Sequence, residues 1–266
     1  MQNVVDITIK DYIADVRLNR PEKMNALNED MFQSIIKATQ ELSQNDEIRA
    51  IVLSGNGRAF CAGLDLSNFS MDGDGVASQD IVARTHGVAN KWQTVAYAWR
   101  ELQVPVIAAV HGIAFGGGLQ IMLGADIKYI AADTRLSVME MKWGLVPDMA
   151  GSVLMRGNVR DDVFRELTYT NREFSGSDAV EYGFATHVSD NPHTDATALA
   201  KTIAAKSPSA IVKAKRLIND SAHLHPNDLL LAESRYQQDI IGSKNQMEAV
   251  FSSMQKRPGN FTPYRD

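Results

Sequence analysis

The alternation of apolar and polar positions at the start of the chain predicts a β-hairpin. The segments VVDITI (4–9) and IADVRL (13–18) both alternate, and the polar tripeptide KDY separates them. Apolar residues at helical spacing follow in MFQSIIKATQELSQ (31–44), and Asn28 is a favourable residue to begin that helix. The first part of the chain is therefore expected to form two strands and a helix.

Further along, short apolar runs alternate with helical segments. The runs RAIVLSG (49–55) and VPVIAAV (104–110) are almost wholly apolar, as is typical of strands buried on both faces. Other predicted strands are 128–138 and 184–189, predicted helices are 80–102, the segment after Gly118, 151–171, 175–182 and nearly everything from 193, and 67–79 has the composition of a surface loop. This order predicts the α/β class, with a core over 1–190 and a helical region over 191–266.

Composition and charge narrow the range of partners. The 266 residues are 44% hydrophobic and 22% charged, which is ordinary for a globular protein. A net charge of −5 argues against a nucleic-acid partner but leaves an anionic small molecule possible. The single cysteine, Cys61, cannot form an internal disulfide, and no residue spacing indicates a metal site. No signal-peptide pattern or membrane-length apolar run is found, so the cytoplasm is the expected location.

Three consecutive glycines, Gly116 to Gly118, stand where helical spacing begins. Each glycine costs a helix about 0.5–1 kcal/mol relative to alanine, so their presence needs a reason. One reason is chemical, because the first N–H groups of a helix lack intrahelical partners and glycine lets a ligand atom approach them. The other reason is structural, because glycine permits a tight turn and close packing of the helix on a strand.

A second glycine-bearing loop favours the chemical reason. Ala62 and Gly63 follow the predicted strand 49–55, and ligand-binding loops of α/β proteins collect at strand ends. If the N–H groups of Ala62 and Gly117 converged on one oxygen, they would form an oxyanion hole. Loss of one such donor typically lowers a rate by about 10²–10³-fold.

Five segments of the chain resemble one enzyme family when they are taken together. They are RLNRPEKMNAL, RAFCAGLDL, HGIAFGGGLQIMLGAD, SVMEMKWGLVPDMAGS and QKRPGNF, and in this order they closely resemble the crotonase superfamily, the enoyl-CoA hydratase/isomerase family. The resemblance implies a spiral of β-β-α turns with a C-terminal helical trimerisation region. It implies a homotrimer or a dimer of trimers, and an acyl-CoA thioester as substrate. Coenzyme A is then part of the substrate, and no separate cofactor is expected.

The same resemblance assigns roles to particular residues. The thioester oxygen would accept hydrogen bonds from the N–H groups of Ala62 and Gly117, and negative charge that develops on it would be stabilised there. The residues expected to bind substrate are Lys23, Met24, Ala26, Arg58, Ala62, Gly63, Leu64, Asp65, Leu66, Phe115, Gly116 and Lys256.

Polar side chains near this oxyanion hole limit the reaction. Hydratases of the family use two glutamates, and the matching positions here are Gln120 and Glu140. Because an amide cannot exchange a proton at neutral pH, efficient two-glutamate hydration is doubtful. Asp148, eight residues after Glu140, resembles the arrangement of the dienoyl-CoA isomerases, in which two carboxylates flank the acyl chain and move a proton. Double-bond isomerisation is thus favoured over hydration, with Glu140, Asp148 and Gln120 as the catalytic candidates.

Three other functions remain open at this point. An acyl-CoA-binding pseudoenzyme would need only the oxyanion hole, and Gln120 favours it. Asp148 also matches the nucleophilic aspartate of aryl-CoA dehalogenases, although no activating aromatic environment is identified. Hydrolysis ranks last because the chain has no GxSxG-like nucleophile turn. Cys61 is expected to be a small buried residue and not a nucleophile.

Overall fold

The computed structural model describes residues 3–65 and 80–265. The predicted hairpin is present as β1 (Val5–Lys10) and β2 (Ile13–Leu18), which pair antiparallel with Val5 opposite Leu18. The predicted first helix is α1 (Glu29–Gln44), and Asn28 caps it by accepting a hydrogen bond from the Met31 N–H at 3.0 Å. Leu66 and the predicted loop 67–79 lie outside the described residues.

A six-stranded sheet forms the centre of the fold. Its order is β1, β2, β3 (Ala50–Gly55), β4 (Val106–Val110), β6 (Ile127–Ile130) and β9 (His187–Val188), and every pair from β2 onwards is parallel. Every residue of β3 and β4 is buried, as their apolar composition predicts. A smaller sheet contains β5 (Ile113–Phe115), β7 (Arg135–Ser137) and β8 (Phe174–Ser175).

Two predicted elements are shorter or more divided than their sequence pattern indicates. The predicted helix 80–102 begins only at Lys91, because Asn90 and Gln93 form a capping box that fixes its first turn. The predicted strand 128–138 is divided into β6 and β7, which belong to different sheets. The helices are α2 (Lys91–Glu101), α3 (Gly117–Gly124), α4 (Gly151–Met155), α5 (Asp161–Thr170), α6 (Gly176–Glu181), α7 (Pro192–Ala204), α8 (Pro208–Asp220), α9 (Pro226–Ile240) and α10 (Lys244–Met254).

Hydrophobic packing covers both faces of the main sheet. The larger core lies between the sheet and helices α1 to α3, and Trp99, Phe32 and Phe60 are among its fully buried side chains. On the other face, α7 places Ala196 and Ala200 against residues of β3 and β4, and these small side chains allow close approach. The division at residue 190 stays a prediction, and α7 packs directly on the sheet. Within the described residues, none of the helices combines the length and apolar character that a membrane span requires.

Candidate active site

The two glycine-bearing loops meet at the carboxyl ends of β3 and β4. The Cys61 N–H donates to the Ile113 carbonyl at 3.0 Å, and the Phe115 N–H donates back to the Cys61 carbonyl at 3.1 Å. The contact is so close that a Cβ on Gly63 would lie 2.6 Å from the Phe115 carbonyl oxygen and 3.7 Å from the Gly117 nitrogen. Glycine at 63 is also required by its left-handed φ of 87°. The structure therefore brings together segments that are far apart in sequence.

The N–H group of Ala62 does not face an open site, contrary to the sequence prediction. It donates to the Met24 carbonyl at 2.9 Å, so it is not available to a substrate oxygen. Leu64 forms a parallel bridge with Leu27, in which Leu27 supplies both bonds: its N–H donates to Gly63 and its carbonyl accepts from Asp65. This pattern leaves the Leu64 N–H without a partner among the described residues. The candidate pair of donors is therefore Leu64 with Gly117, the first residue of α3.

Glu140 lies beside the start of α3. It begins a short 3₁₀ helix, Glu140–Trp143, which follows β7, and a Cβ on Gly116 would lie 3.2 Å from its Oε1. The residue is only 9% exposed, and Oε2 is buried with no hydrogen-bond partner among the described residues. Burial raises the pKa of the Glu140 carboxyl, and the negative charge of Asp148 raises it further.

Gln120 holds Glu140 in place through a fixed amide. Its Nε2 donates to Glu140 Oε1 at 2.6 Å. Its Oε1 accepts from the backbone N–H groups of Met149 at 2.9 Å and Gly151 at 2.8 Å. The two backbone donors determine which end of the amide faces Glu140, so the orientation of Gln120 follows from the fold.

Asp148 stands in the loop between the 3₁₀ helix and α4. The side chain is reached by solvent, yet the surrounding protein raises the pKa of its carboxyl by desolvation. Since its charge acts on Glu140, the two carboxyls form an interacting pair.

The loop that precedes α1 is hydrogen-bonded to the segment 59–65, which carries the candidate donor Leu64. Arg20 donates to Asp65 Oδ2 at 2.5 Å and to the Ala26 carbonyl at 3.1 Å. The ion pair between Arg20 and Asp65 therefore links the two segments. The fully buried Asn25 donates to the carbonyls of Ala59 at 2.9 Å and Phe60 at 3.1 Å. Sequence reasoning did not single out Arg20 or Asn25, although both lie in the RLNRPEKMNAL motif that it identified.

The remaining residues that were expected to bind substrate occupy less specific positions. Lys23, Arg58 and Lys256 are exposed, and Met24, Ala26 and Phe115 are partly buried near the loops described above. Cys61 is fully buried, as predicted, and burial raises the pKa of its thiol to about 12.

Comparison with known proteins gives a consistent result. The family model described as enoyl-CoA hydratase/isomerase matches residues 8–263. A peroxisomal Delta(3,5)-Delta(2,4)-dienoyl-CoA isomerase of Arabidopsis thaliana is 30% identical over 92% of this chain and 90% of its own length. A protein named a probable enoyl-CoA hydratase of Mycobacterium bovis is 30% identical over 93% of each chain.

Solved structures agree with the sequence comparison. An enoyl-CoA hydratase of Mycobacterium smegmatis has a TM-score of 0.86 at 25% identity, covering 97% of this chain and 99% of its own. The Pseudomonas aeruginosa protein DspI has a TM-score of 0.88 at 26% identity, covering 98% and 97%. The mixed α/β fold with a helical C-terminal region is therefore the crotonase fold, and the chain belongs to the enoyl-CoA hydratase/isomerase family of enzymes.

Proposed function

We propose that this enzyme isomerises a 3,5-dienoyl-CoA thioester to the conjugated 2,4-dienoyl-CoA. The observation that supports this most strongly is the pair of carboxyls, Glu140 and Asp148. Glu140 lies beside the start of α3, the charge of Asp148 acts on it, and burial raises the pKa of both groups. The reaction needs one carboxyl that accepts a proton and another that donates one.

The thioester oxygen would bind between the N–H groups of Leu64 and Gly117. Removal of a proton from C2 moves an electron pair toward this oxygen, so negative charge develops there. The first turn of α3 presents unpaired N–H groups and the positive end of the helix dipole at this place. Lys23, Arg58 and Lys256, which are exposed, are proposed to contact the CoA portion.

The environments of the two carboxyls suggest which is the base. Asp148, which solvent reaches, is the one that can remain ionised and take the proton from C2. Glu140 is more deeply buried, and its unpartnered Oε2 is the atom that would hold the proton delivered to C6. The double bonds then lie at C2 and C4. Asp148 afterwards returns its proton to solvent, and Glu140 is reprotonated for the next turnover.

The bonding of Gln120 supports isomerisation over hydration. Hydration requires a group that accepts a proton from the attacking water, and an amide cannot do so. In addition, both acceptor positions of Gln120 Oε1 are used by backbone N–H groups. Glu140 is then the one carboxyl at the two positions where hydratases of the family have glutamates.

An absorbance assay tests this function directly. The purified enzyme is given 3,5-dienoyl-CoA or trans-2-enoyl-CoA, and the conjugated thioester chromophores are followed in the ultraviolet. Rising 2,4-dienoyl absorbance with little loss of 2-enoyl absorbance is the expected result. Loss of the 2-enoyl absorbance alone would instead indicate that the enzyme is a hydratase. If neither absorbance changed while acyl-CoA still bound, the protein would bind acyl-CoA without catalysing either reaction.

Two variants connect the activity to the carboxyl pair. E140Q and D148N should each lower kcat by about 10²–10⁴-fold, the usual contribution of a general acid or base. D133N, which changes an exposed aspartate elsewhere, is the matched control and should keep the wild-type rate. Unchanged turnover in both site variants would refute the proton-transfer mechanism.

The assembly and location of the enzyme stay predictions. We propose a homotrimer or a dimer of trimers, and sedimentation that shows only a species of the 29.3 kDa chain mass would contradict it. A cytoplasmic location is likewise a prediction.

A further inference from the structure

A cavity of about 720 Å³ lies at the other end of the six-stranded sheet. Its lining includes Pro105, which precedes β4, Asp126, which precedes β6, and residues of α8. These are the amino-terminal ends of the strands, whereas the glycine loops of the active site follow the carboxyl ends of β3 and β4. The cavity is therefore separate from the acyl-CoA site, and the inference below does not depend on the proposed reaction.

The charges that line this cavity are unbalanced. Three cationic side chains, Arg100, Lys128 and Lys215, share it with the carboxylate of Asp126. Lys215 is fully bonded, because its Nζ donates to Asp126 Oδ2 at 2.8 Å and to the Val104 carbonyl at 2.9 Å. The one carboxylate is thus bonded to Lys215, and although its charge also acts on Lys128, three cations face a single anion in this cavity.

The side chains of Lys128 and Arg100 both lack hydrogen-bond partners among the described residues. Lys128 is 5% exposed, and its amine forms no hydrogen bond or ion pair within the described parts of the chain. The Nε of Arg100 is buried, and it too has no partner among the described residues. Burial and the positive charge of Arg100 together lower the pKa of Lys128 to about 8. A buried cation without a partner is costly in free energy unless an anion neutralises it.

Lys128 occupies a strand position that faces the hydrophobic core, where burying a charge is unfavourable. Burial alternates along β6, so Lys128 lies on the same face as Ile130, which belongs to the larger hydrophobic core. An apolar residue is the usual choice at such a position in a parallel strand. A lysine at this position is explained if its amine binds an anionic ligand inside the cavity.

The rest of the lining indicates the kind of anion. Much of it is apolar, including Val180 of α6, Ala185, which precedes β9, and Ile211 of α8, and the first two lie with the larger hydrophobic core on the sheet face of Lys128. A bare inorganic anion would leave these side chains in contact with water, whereas an anion with an apolar body would bury them.

We propose that this cavity binds a small organic carboxylate with an apolar body. Its carboxylate lies between Lys128 and Arg100, and its hydrocarbon part lies against Val180, Ala185 and Ile211. An ionic head with an aliphatic tail is the ligand chemistry that uses both halves of the lining.

Calorimetric titration of the full-length protein tests this site, with hexanoate, acetate and inorganic phosphate as separate probes. Hexanoate should bind with one site per chain, and acetate and phosphate should bind at least tenfold more weakly. K128M, which keeps the length of the side chain but removes the charge, should weaken hexanoate binding at least tenfold. K201M, at an exposed lysine of α7, should bind hexanoate as the wild type does.

R100M provides a second variant in case K128M disturbs the fold, and circular dichroism verifies the fold of both. It too should weaken hexanoate binding at least tenfold. The proposal is overturned if hexanoate does not bind, if K128M and R100M both bind it normally, or if phosphate binds as tightly as hexanoate. If hexanoate bound in the acyl-CoA site instead, K128M and R100M would both bind it normally, which would overturn the proposal.

Discussion

Gln120 donates from its Nε2 to Oε1 of Glu140 at 2.6 Å, while its own Oε1 is fixed by the backbone of the loop that follows Asp148. The Gln120 amide therefore positions both the Glu140 carboxyl and the loop that carries Asp148. Burial raises the pKa of Glu140, and the hydrogen bond from Gln120 offsets this only in part, so the pKa stays above its ordinary value.

Replacement of Gln120 by glutamate should alter the choice of reaction. A carboxylate at position 120 can accept a proton from water, which the amide cannot, so the ratio of hydration to isomerisation should rise at least tenfold in Q120E. The two rates are measured with trans-2-enoyl-CoA and 3,5-dienoyl-CoA. Q120M is the control, since it removes the amide without adding a base and should show no gain in hydration. An unaltered ratio in Q120E would mean that this position does not limit hydration.

The contact between Gly63 and Phe115 predicts the effect of one added methyl group. In G63A the new Cβ would lie 2.6 Å from the Phe115 carbonyl oxygen, so the loop that holds the Leu64 N–H must move. We expect kcat to fall by about 10²–10³-fold, as for loss of one oxyanion donor. Gly87 has a similar positive φ of 65°, but no atom of the described residues lies within 4 Å of such a Cβ, so G87A controls for backbone strain. Equal rates in the two variants would argue against a donor role for this loop.

The raised pKa values of the two carboxyls predict a bell-shaped pH dependence of kcat/KM. Asp148 must be ionised to act as the base, so the rate should rise as the pH passes its raised pKa. Glu140 must hold a proton to act as the acid, so the rate should fall as the pH passes the raised pKa of that group. Both limbs should lie above the ordinary range for carboxyls. A flat profile between pH 4 and 8, measured as initial rates, would contradict the assignment.

Asn25 should be important for stability because it is fully buried and bonded on every side. Its Oδ1 accepts from the Arg20 N–H, and its Nδ2 donates to carbonyls of the segment 56–60. N25A would leave these buried groups unpaired, so the free energy of unfolding should fall by about 2–4 kcal/mol. Urea denaturation measures this change. The exposed Asn260 forms no side-chain hydrogen bond to the residues that the structure describes, and the free energy of unfolding of N260A should differ from that of the wild type by less than about 0.5 kcal/mol.

Hydrophobic patterning was sufficient to predict the central strands, whereas the meeting of the two glycine loops followed from the resemblance to the enzyme family, and the catalytic roles of Glu140 and Asp148 stay predictions. The sequence could not predict which N–H group faces the site, because that depends on a bridge between Leu64 and Leu27, which no local pattern reveals. The predicted helix over 80–102 was too long because helical spacing gave no indication that the Asn90 cap excludes the residues before it. The cations Arg100, Lys128 and Lys215 lie on separate elements, and only the folded chain brings them into one cavity.

The two proposed oxyanion donors lie on segments that are hydrogen-bonded directly to each other. Cys61, three residues before Leu64, pairs with β5 through a bridge to Ala114, and Gly117 follows the same strand. The separation of the two donors is therefore set by this short backbone pairing and not by how the two sheets pack. On heating, activity is accordingly expected to persist for as long as the pairing of the two loops does, and to be lost when that pairing melts.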